Sequence, residues 1–365
     1  MAAIYSSPGK YVQGPGVLEN LGQYVRSFGG NALVLTSSGG KKRFGDLIEH
    51  SVSAVCGSCM FVSFDGECSC EEIGRLTALA QSKVFDVIVG VGGGKVFDTA
   101  KAIAHYVGLP VIVCPTVAST DAPCSALSAI YSKQGIFEKY LVLKRNPDVV
   151  LVDTAVITAS PLRLTVAGMG DALSTYFETR ACVRSGSATP AGGSTSHAAL
   201  AFARLCYDTL MADGLKAKKA LKQKQCIDAV ERVIEANRLL SGIGFESGGL
   251  AAAHAMHNGL TGLEDCQNIQ HGEKVAFGTL AQLVLERETS TELAKIVEWC
   301  VCLGLPVTLA ELGVTQAVDE KIMCVAQTSC APNSSMSHMP FPVTPALVYN
   351  AILEADTVGR KILND

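Results

Sequence analysis

Three of the seven histidines, His254, His257 and His271, lie close together in the sequence. The first two are three residues apart in a helical pattern, and His271 begins the next helical segment. Asp171 begins an earlier helix, directly after Gly168-Met169-Gly170. Two imidazoles and one carboxylate would give a catalytic zinc ion three protein ligands and leave one position open for water or substrate. A single helical histidine is more often structural than metal-binding, so the pattern leaves that alternative open.

A glycine turn, Gly90-Val91-Gly92-Gly93-Gly94-Lys95, joins a predicted strand over 84–89 to a predicted helix over 96–107. The free N–H groups and the positive dipole at a helix N-terminus bind anions, and glycines let the backbone approach a phosphate closely. Lys95 stands where a dinucleotide fingerprint has its last glycine, so the match to that motif is incomplete. The turn predicts phosphate binding, with a purely structural turn as the alternative.

A hydroxyl-rich segment over 115–125 follows the next predicted strand. Parallel sheets bind ligands at the carboxyl ends of their strands, so Thr116 and Ser119 could donate hydrogen bonds to pyrophosphate oxygens. The alternative is a capped turn in which the hydroxyls satisfy local backbone groups.

The spacing of hydrophobic residues along the chain changes near residue 160. Before it, predicted strands alternate with predicted helices, which favours a parallel sheet covered on both faces. After it, nearly every window has helical periodicity. We therefore predict an α/β fold, with a parallel-sheet domain over 1–160, an all-α helical domain over 161–365, and a cleft between them. The predicted strands span 32–36, 84–89 and 110–114, and the predicted helices span 44–54, 71–81, 171–184, 197–211, 220–240, 248–263, 271–287, 292–303 and 345–363.

Composition narrows the classes of function. The 365 residues are 48% hydrophobic with a net charge of −4, and basic residues form no continuous stripe, which argues against nucleic acid as a partner. Neither a signal-peptide pattern nor an apolar run of roughly 18 residues is present, so we expect a soluble, cytoplasmic protein with no membrane partner. The fourteen cysteines are scattered, which is typical of reduced thiols. Cys56, Cys59, Cys68 and Cys70 could bind structural zinc, but the second pair is spaced too closely for a usual zinc knuckle.

Taken together, the motifs resemble the glycerol dehydrogenases of the metal-dependent type III alcohol dehydrogenase group, over nearly the whole chain. The matching segments lie at 7–11, 92–95, 98–101, 115–128, 170–173, 246–254, 257–260 and 271–278.

The resemblance implies a Rossmann-like dinucleotide-binding domain over 1–160 and a helical, metal-binding and catalytic domain over 161–365, with the active site in the cleft between them. It also implies an NAD-dependent, zinc-dependent oxidation of glycerol or a related polyol to a ketone, run in either direction, by a homo-oligomer, an octamer. It assigns zinc to Asp171, His254 and His271, and places Asp121 beside the substrate hydroxyls as a further catalytic residue. His257 would line the pocket without binding the metal. The dinucleotide would contact Gly93, Gly94, Lys95, Asp98, Thr116, Ser119, Ser125, Leu127 and Tyr131.

Ser37 departs from the pattern of the group. An aspartate commonly stands there at the strand end and accepts hydrogen bonds from the adenosine ribose. A carboxylate repels the 2′-phosphate of NADP, so its loss predicts that NADP is tolerated beside NAD. Lys41, Lys42 and Arg43 follow shortly after and could attract that phosphate, although an exposed basic turn is the simpler interpretation.

Two other functions remain open from the sequence. A sugar-phosphate cyclase resembling dehydroquinate synthase, or a glycerol-phosphate dehydrogenase, would need extra cations for a substrate phosphate, and the metal-bearing segments offer only Lys274 nearby. A non-catalytic protein that keeps the fold is the second alternative, because fold alone does not decide function.

Overall fold

The N-terminal part of the chain builds a six-stranded sheet in which every strand runs parallel to its neighbours. In the computed structural model, which describes residues 1–364, the strands are Tyr11–Gly14 (β1), Asn31–Thr36 (β2), Ser58–Ser63 (β3), Val87–Gly92 (β4), Val111–Pro115 (β5), Leu127–Tyr131 (β6), Phe137–Val142 (β7) and Val149–Asp153 (β8). The order across the sheet is β1-β8-β5-β4-β2-β3, while β6 and β7 form a separate antiparallel hairpin.

Helices cover both faces of this sheet. They are Leu21–Ser27 (α1), Ser38–Ser53 (α2), Cys70–Gln81 (α3) and Gly94–Val107 (α4). Successive side chains of a strand point to opposite faces, so β2 and β4 contribute to two separate cores. Val34 and Val89 pack in the cluster that includes residues of α1 and α2. Leu33, Leu35 and Ile88 pack in the cluster that includes residues of α3 and α4.

Beyond Asp153 the described residues form helices and turns, apart from an isolated bridge between Ala3 and Ser194. The helices are Thr154–Ala159 (α5), Leu162–Ser185 (α6), His197–Lys222 (α7), Asp228–Glu235 (α8), Ser241–Gly248 (α9), Ala252–Thr261 (α10), His271–Leu285 (α11), Ser290–Leu303 (α12), Val318–Ser329 (α13) and Pro345–Asn364 (α14). The largely buried α6 packs against α7 and α11, and α11 packs against α10. Among residues 1–364, none of the helices combines the length and the hydrophobicity that a membrane-spanning segment needs.

The predicted fold class is confirmed, since a parallel sheet with flanking helices precedes an all-helical region. Five predicted helices and one predicted strand differ from the structure by more than two residues at an end. The helices predicted over 44–54 and 171–184 begin earlier, at Ser38 and Leu162, so Asp171 lies inside its helix and does not begin it. The helix predicted over 197–211 continues to Lys222, and the strand predicted over 84–89 lies three residues later. The single helix over 220–240 is interrupted, because α7 ends at Lys222, Lys224 adopts a left-handed φ of 55°, and α8 begins only at Asp228. The helix over 248–263 begins later, at Ala252, because Gly249 at φ 105° ends α9. The domain boundary near residue 160 stays a prediction.

Candidate active site

Three helices bring the predicted metal ligands together. Asp171 lies within α6, His254 lies in the first turn of α10, and His271 is the first residue of α11. Asp171 Oδ1 is 3.1 Å from His271 Nε2 and 3.6 Å from His254 Nε2. Among residues 1–364, these are the only three side chains of metal-binding type whose ligand atoms all lie within 4.8 Å of one another. The four cysteines at 56, 59, 68 and 70 do not form such a group.

The spacing of these atoms fits a divalent cation. Nitrogen and oxygen ligands at ordinary zinc distances in a tetrahedral site are separated by roughly 3.3 Å from one another. Asp171 and His254 are buried, whereas the His271 side chain is 35% exposed. The cluster is therefore accessible from the side on which His271 lies. A metal held here would have two buried ligands, one partly exposed ligand and an accessible fourth position, which is the arrangement of a catalytic site.

Close backbone packing explains how residues so distant in sequence meet. A Cβ atom on Gly272 would lie 1.8 Å from the carbonyl oxygen of Ala167, and one on Gly168 would lie 1.9 Å from that of Ala118. Only glycine therefore allows α6 to approach both the start of α11 and the loop after β5. This approach carries Asp171 to His271.

The electrostatics of the cluster favour a positive charge. Burial alone would raise the pKa of Asp171, but His271 and His254 hold it below its ordinary value. Burial alone would lower the pKa of His254, but the carboxylates of Glu178 and Asp171 raise it well above the usual range. His257 lies outside the cluster with its ring centroid 4.1 Å from that of His271, and burial and that neighbour lower its pKa.

Asp121 lies beside the cluster, and its predicted contact with the substrate stays a prediction. Its backbone N–H donates to Asp171 Oδ2 at 3.3 Å, and its carboxylate accepts a hydrogen bond from Ser241 Oγ at 2.7 Å. Burial and the nearby Asp171 carboxylate raise the pKa of Asp121 to about 8. A carboxyl group held by a buried hydroxyl next to a cation site can orient a polyol through its hydroxyl groups.

A short π-helical turn, Ala236–Leu240, fixes the loop that carries Asp121. Asn237 Nδ2 donates to the carbonyl of Ala118 at 3.2 Å, and the fully buried Arg238 donates to the carbonyl of Thr120. π-Helical turns inside α-helices are frequent at functional sites, and here the turn presents both side chains to one loop.

The glycine turn lies at the carboxyl edge of the sheet, at the N-terminus of α4. Gly93 and Gly94 face open space, since a Cβ there would meet no atom closer than 3.8 Å. The N-cap position, Gly93, has no side chain to cap the helix. Thr116 N–H donates to the carbonyl of Gly92 at 3.0 Å, which places the hydroxyl-rich segment beside the turn. This cradle fits a diphosphate, and Lys95 at its rim pairs with Glu67.

Three of the remaining predicted cofactor residues, Asp98, Ser125 and Leu127, lie around one buried ion pair. Lys101 Nζ is 2.9 Å from Asp98 Oδ1 and donates to the carbonyl of Leu127. Asp98 Oδ2 also accepts from the N–H of Ala129. The hydroxyl of the fully buried Ser125 donates to the carbonyl of Ala122, and Ser119 and Tyr131 are partly exposed. Asp98 and Ser125 thus already have protein partners, and their contact with a dinucleotide stays a prediction.

Ser37 is the N-cap of α2 and lies directly after β2, the strand next to β4. Its Oγ accepts a hydrogen bond from Gly40 N–H at 3.0 Å. The hydroxyl proton remains available to a ribose, so the predicted contact with the adenosine half is compatible with the cap.

The sequence did not single out Glu178, Asn237, Arg238 or Ser241. Glu178 follows Asp171 by seven residues, which is two helical turns, so it shares the inward face of α6. That spacing is a signal that could have identified it. The π-helical turn has no comparable signature in the sequence.

Comparisons with known proteins identify the family of this chain. A family model described as iron-containing alcohol dehydrogenase matches residues 8–154. The glycerol dehydrogenase of Citrobacter freundii is 50% identical over 363 residues, covering 100% of both chains. The crystal structure of glycerol dehydrogenase from Schizosaccharomyces pombe superposes with a TM-score of 0.96 at 39% identity, covering 100% of this chain and 92% of that one. A probable glycerol dehydrogenase from Sinorhizobium meliloti gives a TM-score of 0.94 at 42% identity, covering 99% and 100%. The chain therefore belongs to the iron-containing alcohol dehydrogenase family, among its glycerol dehydrogenases, and is an oxidoreductase.

Proposed function

We propose that this enzyme oxidises glycerol, or a related small polyol, to the ketone with NAD as hydride acceptor, and that the reaction also runs in reverse. For glycerol the product is dihydroxyacetone. The observation that carries the proposal is the convergence of Asp171, His254 and His271 beside Asp121, close to the edge of the sheet that bears the glycine turn.

Each part of the site has a distinct task in this reaction. A divalent cation at the cluster would supply positive charge that favours loss of the proton from a substrate hydroxyl. Asp121, held by Ser241, hydrogen-bonds a second hydroxyl and so orients the carbon that gives up hydride. Gly93 and Gly94 hold the dinucleotide by its diphosphate.

Zinc is the metal that we propose, although the matched family is described as iron-containing. Imidazole and carboxylate ligands suit both zinc and iron. Hydride transfer moves two electrons between the substrate and the nicotinamide, so the metal need only act as a Lewis acid. A redox-inert zinc ion meets that need, and iron is the second candidate.

An unphosphorylated substrate fits the surroundings better than a sugar phosphate or glycerol phosphate. Lys274 is buried and only 6% exposed, and burial lowers its pKa. Arg163, next to the start of α11, already forms an ion pair with Glu273 at 2.7 Å. Lys274 is thus largely enclosed by protein and Arg163 is already paired, so neither side chain is well placed to hold a substrate phosphate.

For the cofactor we propose NAD, with NADP tolerated because Ser37 carries no repulsive charge. Lys41, Lys42 and Arg43 are exposed in the first turns of α2. We further propose a cytoplasmic homo-oligomer, for which light scattering after gel filtration measures the subunit number.

The decisive experiment is a kinetic panel on purified protein, stripped of metal and reloaded with zinc or iron. Glycerol, glycerol 3-phosphate and other polyols are assayed with NAD and with NADP, and bound metal is measured by mass spectrometry. We expect zinc to restore glycerol oxidation with NAD. Full activity in stripped protein would contradict the metal site, preference for glycerol 3-phosphate would contradict the substrate, and no turnover of any polyol would favour a non-catalytic role.

A further inference from the structure

The helix that carries His254 receives its N-terminal cap from other helices. No side chain at the start of α10 caps it. Glu178, on α6, accepts hydrogen bonds through Oε1 from the N–H of Ala251 at 2.7 Å and of His254 at 2.9 Å. Gln282, on α11, accepts one from the N–H of Ala253 at 2.9 Å. Two buried side chains therefore satisfy backbone donors that a helix start would otherwise leave unpaired.

The second oxygen of Glu178 contacts the imidazole of His254. Oε2 lies 2.6 Å from His254 Nδ1, and the Glu178 side chain is completely buried. An ionised carboxylate can only accept, so Nδ1 must carry the proton in this contact. A histidine that binds a metal must be neutral, and in that form the lone pair of His254 lies on Nε2, the nitrogen that faces Asp171 Oδ1 at 3.6 Å.

We propose that Glu178 is a positioning residue that fixes the ring orientation and tautomer of His254 and so sets the affinity of the site for a divalent cation. The inference rests on the metal site proposed above. Hydrogen bonds from ligating histidines to carboxylates generally fix the tautomer and raise the basicity of the ligand. Here one carboxylate holds both the ring and the start of the helix that carries it.

The substitution that separates these two tasks is Glu178→Gln. Its amide oxygen can still accept from the backbone of α10, whereas its NH₂ group can only donate to His254 Nδ1. The proton of the ring then moves to Nε2, which can no longer bind a metal. We expect zinc affinity, measured by competition with a chromophoric chelator, to fall by about 10- to 100-fold. The visible spectrum of the cobalt-substituted protein should change as well.

The matched control is Gln282→Met, which removes the other cap of α10 without touching the imidazole. It should lower the melting temperature of the metal-free protein while zinc affinity stays within about threefold of the unmodified value. Unchanged zinc affinity in Glu178→Gln would overturn the inference, as would an equal loss in both variants, because Glu178 would then act only through the fold. If the unmodified protein binds no zinc, the proposed metal site fails, and this inference fails with it.

Discussion

Replacement of Gly272 by alanine tests whether the close approach of α6 and α11 builds the metal cluster. The new Cβ would lie 1.8 Å from the carbonyl oxygen of Ala167 and 3.0 Å from the backbone nitrogen of Asp171, whereas ordinary contacts begin at 3.4 Å. Both neighbours are backbone atoms, which no side-chain rotation can move away. The two helices must therefore separate locally by about 1.5 Å.

That displacement acts on stability and on metal binding together. Overpacking costs roughly 1–3 kcal/mol, and the gain of about 1 kcal/mol in helix propensity for glycine to alanine offsets only part of it. His271 precedes Gly272 directly, so its Nε2 moves away from Asp171 Oδ1, now 3.1 Å distant. We expect a lower melting temperature and zinc binding at least about tenfold weaker.

Gly74→Ala is the control for this substitution. Gly74 lies on the exposed side of α3, where a Cβ meets no atom within 4 Å. Alanine there should raise stability by up to about 1 kcal/mol and leave zinc affinity unchanged. Calorimetry and chelator competition measure both quantities in both variants. A Gly272→Ala protein that melts no lower than the parent and binds zinc equally well would refute the packing argument.

Three further changes test other parts of the site. Ser37→Asp keeps an N-cap for α2, because aspartate caps as well as serine. It should raise the ratio of kcat/KM with NAD to kcat/KM with NADP by roughly 5- to 150-fold. An unchanged ratio would place Ser37 away from the ribose. Asp121→Asn should raise KM for the polyol or alter selectivity while leaving NAD affinity, measured by fluorescence titration, nearly unchanged. An equal loss of NAD affinity would assign Asp121 to the cofactor instead. Lys101→Met leaves the Asp98 carboxylate buried without its cation and should lower the free energy of unfolding, measured in urea, by roughly 3–5 kcal/mol. Adding Asp98→Asn should restore part of that stability. Additive effects of the two substitutions would show that the two residues do not interact.

The sequence predicts the elements that carry chemistry better than the elements that hold them in place. Gly90 to Lys95 stand between an apolar run and a helical pattern, so the strand, the glycine turn and the helix start could be predicted directly, and binding of a phosphate at the turn stays a prediction. His254, His271 and Asp171 could be named as candidate ligands because histidine is scarce in the chain and the family pattern joins the three residues. Their proximity in the folded protein depends on close glycine contacts between helices, which cannot be predicted from the spacing of residues along the chain.

The missed elements have physical reasons of their own. β1 has only four residues and ends in glycine, so it has little alternating pattern to detect. β8 is a continuous apolar run, typical of a buried parallel strand, and was detectable. The break after Lys222 contains neither glycine nor proline, and the π-helical turn at 236–240 shifts the helical register without a change in composition. Tertiary contacts decide such positions.

The three proposed metal ligands come from three different helices, α6, α10 and α11, and this has a consequence for stability. A metal that binds only the folded protein acts as a reversible cross-link among these helices, and at 100 times its dissociation constant it adds about 2.7 kcal/mol to the stability of the folded state. The strands and the glycine turn contribute no ligand to the cluster. Scarcity of metal would therefore favour local opening in the helical region first, while the sheet keeps its own apolar cores. The supply of metal would then govern the lifetime of this protein as well as its activity.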